Sequence, residues 1–346
     1  MLIIDGSSGE GGGQVLRTAL GLSLATGTPF HIDNIRAGRA RPGLLRQHLS
    51  AVRTAAAVGR AEVDGDTLGS RSLSFIPSSL VPGEHQASIG SAGSAMLVIQ
   101  AVLPALLVAG GPSRLVVEGG THNPSAPPFD FIARTFVPTL ARMGADVRVT
   151  LERPGFYPAG GGRVVVEVGP SPLRPLDLVE RGAVRSIRAR AVVSAVPVSV
   201  AHRELRVLRE RFGLEREALI CEDVKLPVGP GNVVFVEVEC EHITEVFTAF
   251  GEKRVRAEDV AAAAGDAAQA WIDGGVPVCE HLADQLLIPL ALAARSGGDG
   301  GRFRTGPVTL HTTTNAEVIG RFLDVRFSFE PTASGGAGAG TLVSCA

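Results

Sequence analysis

One pattern occurs more than once along this chain, and that repetition limits what it can fold into more than any single motif does. Leu2–Ile4 reads as a short strand broken at Asp5-Gly6. A glycine run, Gly9–Gly13, then leads into a helix, Gln14–Ala25, whose Val15, Leu16, Ala19, Leu20, Leu22 and Leu24 suit burial. The unit continues with a strand at Phe30–Ile35 and a helix that Pro42 starts and that runs to about Val58. Strands near Arg60–Val63 and Ser72–Ile76 complete it. The pattern restarts 84 positions after Gly6, at Gly90, with a glycine turn at Ser88–Ser94, a helix at Ala95–Val108 and a strand at Arg114–Glu118. A second helix, Phe129–Met143, and strands Asp146–Leu151 and Gly162–Val168 follow. A third copy reads as helix Glu280–Ala294, strand Pro307–Leu310, helix Asn315–Leu323 and strand Asp324–Phe329. Each copy brings helices with an apolar face and strands that must cover it, so three copies imply one layered α/β domain.

Between the second and third copies lie roughly 90 residues of different character. Ile187–Val193, Gly231–Cys240 and Ile243–Phe250 read as strands, His202–Phe212 and Ala257–Ile272 as helices, enough for a small α/β domain. The expected organisation is therefore a large domain, 1–183 plus 277–346, with 184–276 inserted. Alanine, glycine and serine dominate Pro331–Gly340, which reads as disordered.

Net charge is −2, so nothing global draws this chain to nucleic acid or to an anionic membrane, and any polyanion must be held by a local cluster. Cys221, Cys240, Cys279 and Cys345 show no CxxC spacing, which argues against a zinc site or a disulfide framework and fits reduced thiols in a cytoplasm. No apolar run approaches about 18 residues, and the N-terminus meets glycine and acid too early for a signal segment, so neither a membrane span nor export is expected. Only 5% of residues are aromatic, which disfavours a simple RNA-binding module built on base stacking.

Chemistry concentrates at the ends of the apolar elements. Val308–Asn315, VTLHTTTN, reads as a strand that stops at His311, either a histidine satisfied by neighbouring threonines or a catalytic imidazole. Arg36, Arg39, Arg41 and Arg46, with Gln47 and His48, form either a solvated basic turn or a phosphate-binding one, because guanidinium forks suit phosphate oxygens. Arg17 lies one turn past Gly11–Gly13, where helix N–H groups already favour an anion. Glu10 is either a helix-start acid or a carboxylate at the edge of an anion site, where Mg²⁺ bridging to phosphates needs only one or two such ligands. Gln100 is either a core amide or a ligand contact. Glu280–Gln285 are either caps or partners for ribose and base.

Taken in order, GEGGGQVLR, IRAGRARPGLLRQHL, GSAGS, HNPSAPPFDF, GFYPAGGG, GPGN, GEKR, EHLADQL and HTTTN resemble the RNA 3′-terminal phosphate cyclases, over Met1 to about Phe329. The resemblance implies three βαβαββ-type units with a smaller domain inserted between the second and third. It implies an ATP-dependent reaction in which His311 becomes covalently linked to AMP with release of pyrophosphate. The AMP then passes to an RNA 3′-terminal phosphate, and the neighbouring 2′-hydroxyl closes a 2′,3′-cyclic end. Carried over by position, the nucleotide site falls on Gln100, Pro127, Phe131 and His281, Leu282, Ala283, Asp284 and Gln285. Triphosphate or RNA-end contacts fall on Arg17, Arg36, Arg39, Gln47 and His48, and a Mg²⁺ or Mn²⁺ contact on Glu10. His281 stands where members of that family often carry tyrosine; either ring can stack on adenine. The imidazole must be neutral with its second nitrogen held by an acceptor, for which Thr312, Thr313, Thr314 or a backbone carbonyl are the candidates. The expected partners are ATP and RNA ending in a 3′-phosphate, with no membrane and no obligate protein partner. A non-enzymatic relative of that fold would lack the nucleophile, whereas His311 is present; the enolpyruvyl transferases, which bind anionic small molecules on similar repeated units, need neither that histidine nor the insertion.

Overall fold

Leu2–Asp5 (β1) pairs in parallel with Phe30–Asp33 (β2), and a parallel pair requires a crossover, here the helix Gly13–Thr26 (α1). The helix Arg46–Gly59 (α2) and the strands Glu62–Asp64 (β3) and Leu73–Ile76 (β4) follow, with β4 lying antiparallel between β2 and β3. The sheet order is β1-β2-β4-β3. The computed structural model describes residues 1–295, 298–332 and 340–346.

The next sheet is ordered β5-β6-β8-β7. Gly83–Ser88 (β5) runs parallel to Ser113–Gly119 (β6), with Ala95–Leu107 (α3) crossing between them. Phe129–Phe131 (α4), a π-helical stretch Ile132–Phe136, and Val137–Arg142 (α5) lead to Asp146–Arg153 (β7) and Gly162–Gly169 (β8). Leu176–Leu178 (β9) then leaves its sheet partners for later. The chain first builds Val184–Ser194 (β10), Ser199–Phe212 (α6), Leu219–Asp223 (β11), Gly231–Cys240 (β12), Thr244–Phe250 (β13) and Ala257–Gly274 (α7), with sheet order β11-β10-β12-β13. Helices α6 and α7 pack on this sheet and on each other. Glu280–Ala294 (α8), Gly301–Thr305 (β14), Leu310–Phe322 (α9), Phe327–Thr332 (β15) and Gly340–Cys345 (β16) finish the chain. Here β14 pairs in parallel with β9 and antiparallel with β16, giving β9-β14-β16-β15. Among the described residues, three of the four sheets thus share one strand order and one sequence of pairing senses.

Eleven of the fourteen residues of α1 are buried, as a helix apolar on nearly every side requires. It packs against α3 and α9, and α8 packs against both of those, so the helices of the three like sheets share one core. No helix among the described residues is long and apolar enough to cross a membrane.

Several local readings change. Pro307–Leu310 is not a strand: Thr309 accepts a hydrogen bond from Thr312 N (3.3 Å) and caps a helix that starts at Leu310. The capping bond overrides the β-preference of Val308 and Thr309. Pro42 does not start α2, which begins at Arg46. Residues 36–44 form a loop instead, fixed by Arg36 Nη1 donating to Arg41 O and Gly43 O (2.6 and 2.9 Å) and by Leu44 N on Ser70 O (2.9 Å). The strands β5, β9, β11 and β16 were not expected; β5, GEHQAS, is polar nearly throughout, and β9, LDL, is only three residues long. Of the segment Pro331–Gly340, residues 331–332 and 340 belong to β15 and β16, and 333–339 lie outside the described residues.

Candidate active site

The starts of three helices converge on one polar chain of side chains. His311 is the second residue of α9, and its Nδ1 bonds Gln14 Oε1, at the start of α1, over 3.0 Å. The Gln14 amide nitrogen donates to Asp284 Oδ1, one turn into α8. Asn315 Nδ2 donates to the same oxygen (3.1 Å) and to Asp284 O (2.9 Å), and Asn315 Oδ1 accepts from Thr18 Oγ1 (2.7 Å). The order of these contacts fixes protons. A carboxylate can only accept, so Gln14 and Asn315 must turn their NH₂ groups to Asp284, which leaves Gln14 Oε1 to accept from His311 Nδ1–H. The Nε2 lone pair of a half-exposed ring is then free for chemistry. Thr312, Thr313 and Thr314 do not hold the imidazole. Thr312 contacts Thr309 (3.1 Å), Thr313 donates to Leu310 O (3.2 Å), and Thr314 Oγ1 accepts from Glu10 N (3.1 Å).

Glu10 Oε1 lies 3.7 Å from His311 Nε2 and is ion-paired with Arg39. Its carboxylate folds back over Gly12, where a Cβ would stand 2.2 Å from Oε2, so that glycine is what lets the acid reach the site. Oε1 is taken by Arg39, while Oε2 is enclosed and accepts no hydrogen bond among the described residues. That unpartnered Oε2 fits a divalent ion, although no group of three or more His, Cys, Asp or Glu that could hold one exists among the described residues. The fit is therefore to a metal whose remaining ligands are phosphate oxygens and water.

Arg17 is partly buried beside this chain; burial, and secondarily Arg36, pull its pKa down to about 10, and Asp284 opposes them, so it stays cationic at neutral pH. Burial also drives His48 down to about 3, with Arg36 and Arg17 adding to the effect, so this imidazole is neutral. Burial raises the Asp284 carboxyl, against the pull of His311, Arg17 and its two amide donors. Three arginines and three helix N-termini thus surround two carboxylates, and the imbalance favours a multiply charged anion. A cavity beside Gln14 is lined by Arg17, Gln100, Phe136, Asp284 and Gln285, with apolar walls from α3 and α8.

The family sequence model described as RNA 3′-terminal phosphate cyclase matches residues 8–329. The chain belongs to the RNA 3′-terminal phosphate cyclase family. A curated RNA 3′-terminal phosphate cyclase of Koribacter versatilis is 50% identical over 328 residues, covering 94% of this chain and 91% of that protein. Those of Ectopseudomonas mendocina and Salmonella enteritidis are 50% and 48% identical over 322 and 336 residues, covering 93% and 97% of this chain and 92% and 97% of theirs.

The residues that the cyclase resemblance singled out divide by place. Glu10, Arg17, Arg36, Arg39, His48, Asp284 and His311 gather around Gln14. Gln100 and Gln285 face the cavity, whose aromatic wall is Phe136. Phe131 is buried in the core, as are Leu282 and Ala283, whereas His281 is exposed and 3.8 Å from Glu280; Pro127 is half-buried. Two of the anion candidates also brace the scaffold. His48 Nδ1 accepts from Leu45 N (3.2 Å) at the start of α2, and Gln47 Oε1 accepts from Ser94 N (3.0 Å), the cap of α3. Arg46 turns away and donates to Gly90 O (3.2 Å). Gln14 and Thr18 were given no role from the sequence, each being a polar residue in an apolar helical run, a pattern that many core residues share; Asn315 was noted only as the amide closing VTLHTTTN, not as a partner of Asp284.

Proposed function

We propose that this chain is an ATP-dependent RNA 3′-terminal phosphate cyclase that works through a His311–AMP intermediate. The observation that carries this reading is the Asp284–Gln14–His311 chain, which holds a proton on Nδ1 and so reserves Nε2 as the nucleophilic nitrogen among three helix N-termini. In the first step Nε2 attacks the α-phosphorus of ATP, the bond to the bridging oxygen breaks, and pyrophosphate leaves. An oxygen of the RNA 3′-phosphate then attacks that phosphorus and the P–N bond breaks, returning neutral imidazole. In the last step the RNA 2′-oxygen, losing its proton, attacks the 3′-phosphorus and AMP departs. The logic is that a phosphate monoester offers no good leaving group, while an adenylylated one does.

Arg17, Arg36 and Arg39 supply charge toward phosphate oxygens, with Gln47 and His48 beside them, and the Gln14 amide holds the ring in one tautomer throughout. Gln100, Asp284 and Gln285 face the space in which the nucleoside would lie, with half-buried Pro127 and exposed His281 as the candidates for outer contacts, while Phe131, Leu282 and Ala283 pack beneath it. A Mg²⁺ or Mn²⁺ ion would be held by Glu10 and would neutralise phosphate charge. We further read the three like-ordered sheets as three copies of one βαβαββ unit, and 184–276 as a domain inserted in the loop after β9, within a protein of the cytoplasm that needs no obligate protein partner. The test is to incubate the protein with ATP, Mg²⁺ and an RNA bearing a labelled 3′-phosphate. The label is expected to become resistant to phosphatase, with one AMP formed per end; a label that stays phosphatase-sensitive would refute the reading.

A further inference from the structure

We propose that the groove between α2 and β5 carries the RNA strand on the 5′ side of its reacting end, an inference that rests on the cyclase reading above. The groove, about 410 Å³, is lined by Arg46, Ser50, Arg53, Leu68, Gln86 and Ser88 among others, with no acidic side chain in its wall. Its position is fixed by α2. At the start of that helix His48 turns inward, where its Nε2 would stand 2.7 Å from a Cβ on Gly13, the neighbour of Gln14. Two residues earlier Arg46 turns outward onto Gly90 O and opens the groove. The helix then carries Ser50 and Arg53 along one wall to Ala57, roughly 16 Å at the α-helical rise. Strand β5 forms the other wall with Gln86 and Ser88, both exposed.

Its chemistry is that of a strand-tracking surface. Arg46 and Arg53 lie seven residues apart, on one face of the helix. Arg53 is held by Asp66, through Nε on Oδ2 (3.1 Å) and Nη2 on Asp66 O (3.3 Å), which fixes its guanidinium plane and leaves Nη1 without such a bond among the described residues. Hydroxyl and amide groups between the two cations suit phosphate and ribose oxygens, and Leu68, an exposed leucine, offers apolar surface to a base. Contacts of this kind position a strand without reading its sequence.

The experiment compares two substrates, a dinucleotide and a longer unstructured oligoribonucleotide, each ending in a 3′-phosphate. In the variant Arg46→Ala/Arg53→Ala, the KM for the longer RNA is expected to rise about tenfold, and its salt dependence to flatten by about 1.4 in log–log slope, two single-strand phosphate contacts. The dinucleotide KM and the labelling of His311 by ATP stay unchanged. Gln86→Glu, which removes no side-chain contact between folded elements, should raise the long-RNA KM, and Gln86→Lys should lower it. A long-RNA KM indifferent to all three variants, or one that rises equally for the dinucleotide, would overturn the proposal. Wild-type protein that cyclises neither substrate would instead refute the cyclase reading itself.

Discussion

Gln14 joins two groups that are remote in sequence, and its amide decides which nitrogen of His311 carries the proton. Replacing it by alanine removes the acceptor and lets the ring take the other tautomer. Gln14→Ala is therefore expected to slow transfer of AMP to His311 by about 100-fold while the protein stays folded, as rapid-quench labelling beside a thermal melt would register. His48 gives a pH signature. Its folded pKa, about 3, lies below the ordinary histidine value of 6.5, so between those values the unfolded chain binds a proton that the folded chain refuses. Stability contributed by the neutral ring is present above pH 6.5 and is lost as pH falls toward 3. His48→Gln should flatten that acid limb in melts taken across this range. The sequence made His311, Glu10, Arg17 and Asp284 legible, because each is a chemically specific residue at the end of an apolar element. Gln14 was not legible as a partner: 297 positions separate it from His311, and no local periodicity encodes such a contact.

The positions of helix starts matter more here than the positions of strand ends. VTLHTTTN has the β-branched composition of a strand, yet Thr309 spends its hydroxyl on Thr312 N, and His311 sits on the first turn of α9, with the positive end of the helix beneath it. Element types from long apolar runs, such as α1, α3 and α8, were readable, whereas this switch turned on one side-chain bond. A second element-level link joins β13 to α8. Glu245, fully buried on β13, accepts from Cys279 N (2.9 Å), and Cys279 caps the helix that carries Asp284. Burial pushes the Glu245 carboxyl up to about 8, against the hydrogen bond from Cys279. The folded state therefore holds a proton that the unfolded chain releases above about 4.5, and stability falls as pH rises from there to about 8. Melts of Glu245→Gln should lack that decline; a parallel pH profile in the variant would show that Glu245 does not cause it.

At the scale of the molecule, the sheet of β10–β13 is tied to the rest through a buried acid. Asp130, in α4, meets His122 Nε2 (3.1 Å), Arg134 (3.8 Å) and Arg190 from β10. Asp130→Ala leaves the mostly buried Arg190 guanidinium with Glu222 (3.0 Å) and the face of Phe235 (4.9 Å) but without its buried carboxylate, and is expected to cost about 3 kcal/mol in denaturant unfolding. The recurring order of glycine turns and apolar helices made the layered α/β architecture legible. Strand order was not, because β9 finds β14 only after the chain has built a whole sheet between them. All of these layers serve to bring Gln14, Asp284 and His311 together, and the most direct test of that arrangement is covalent. The protein would be incubated without RNA in ATP labelled at the α-phosphate, beside His311→Ala. Label is expected on the wild type alone, acid-labile and base-stable as a phosphoramidate is, and discharged by 3′-phosphate RNA. Label on both proteins would mean that another residue is the nucleophile, and label on neither would contradict nucleotidyl transfer at this site.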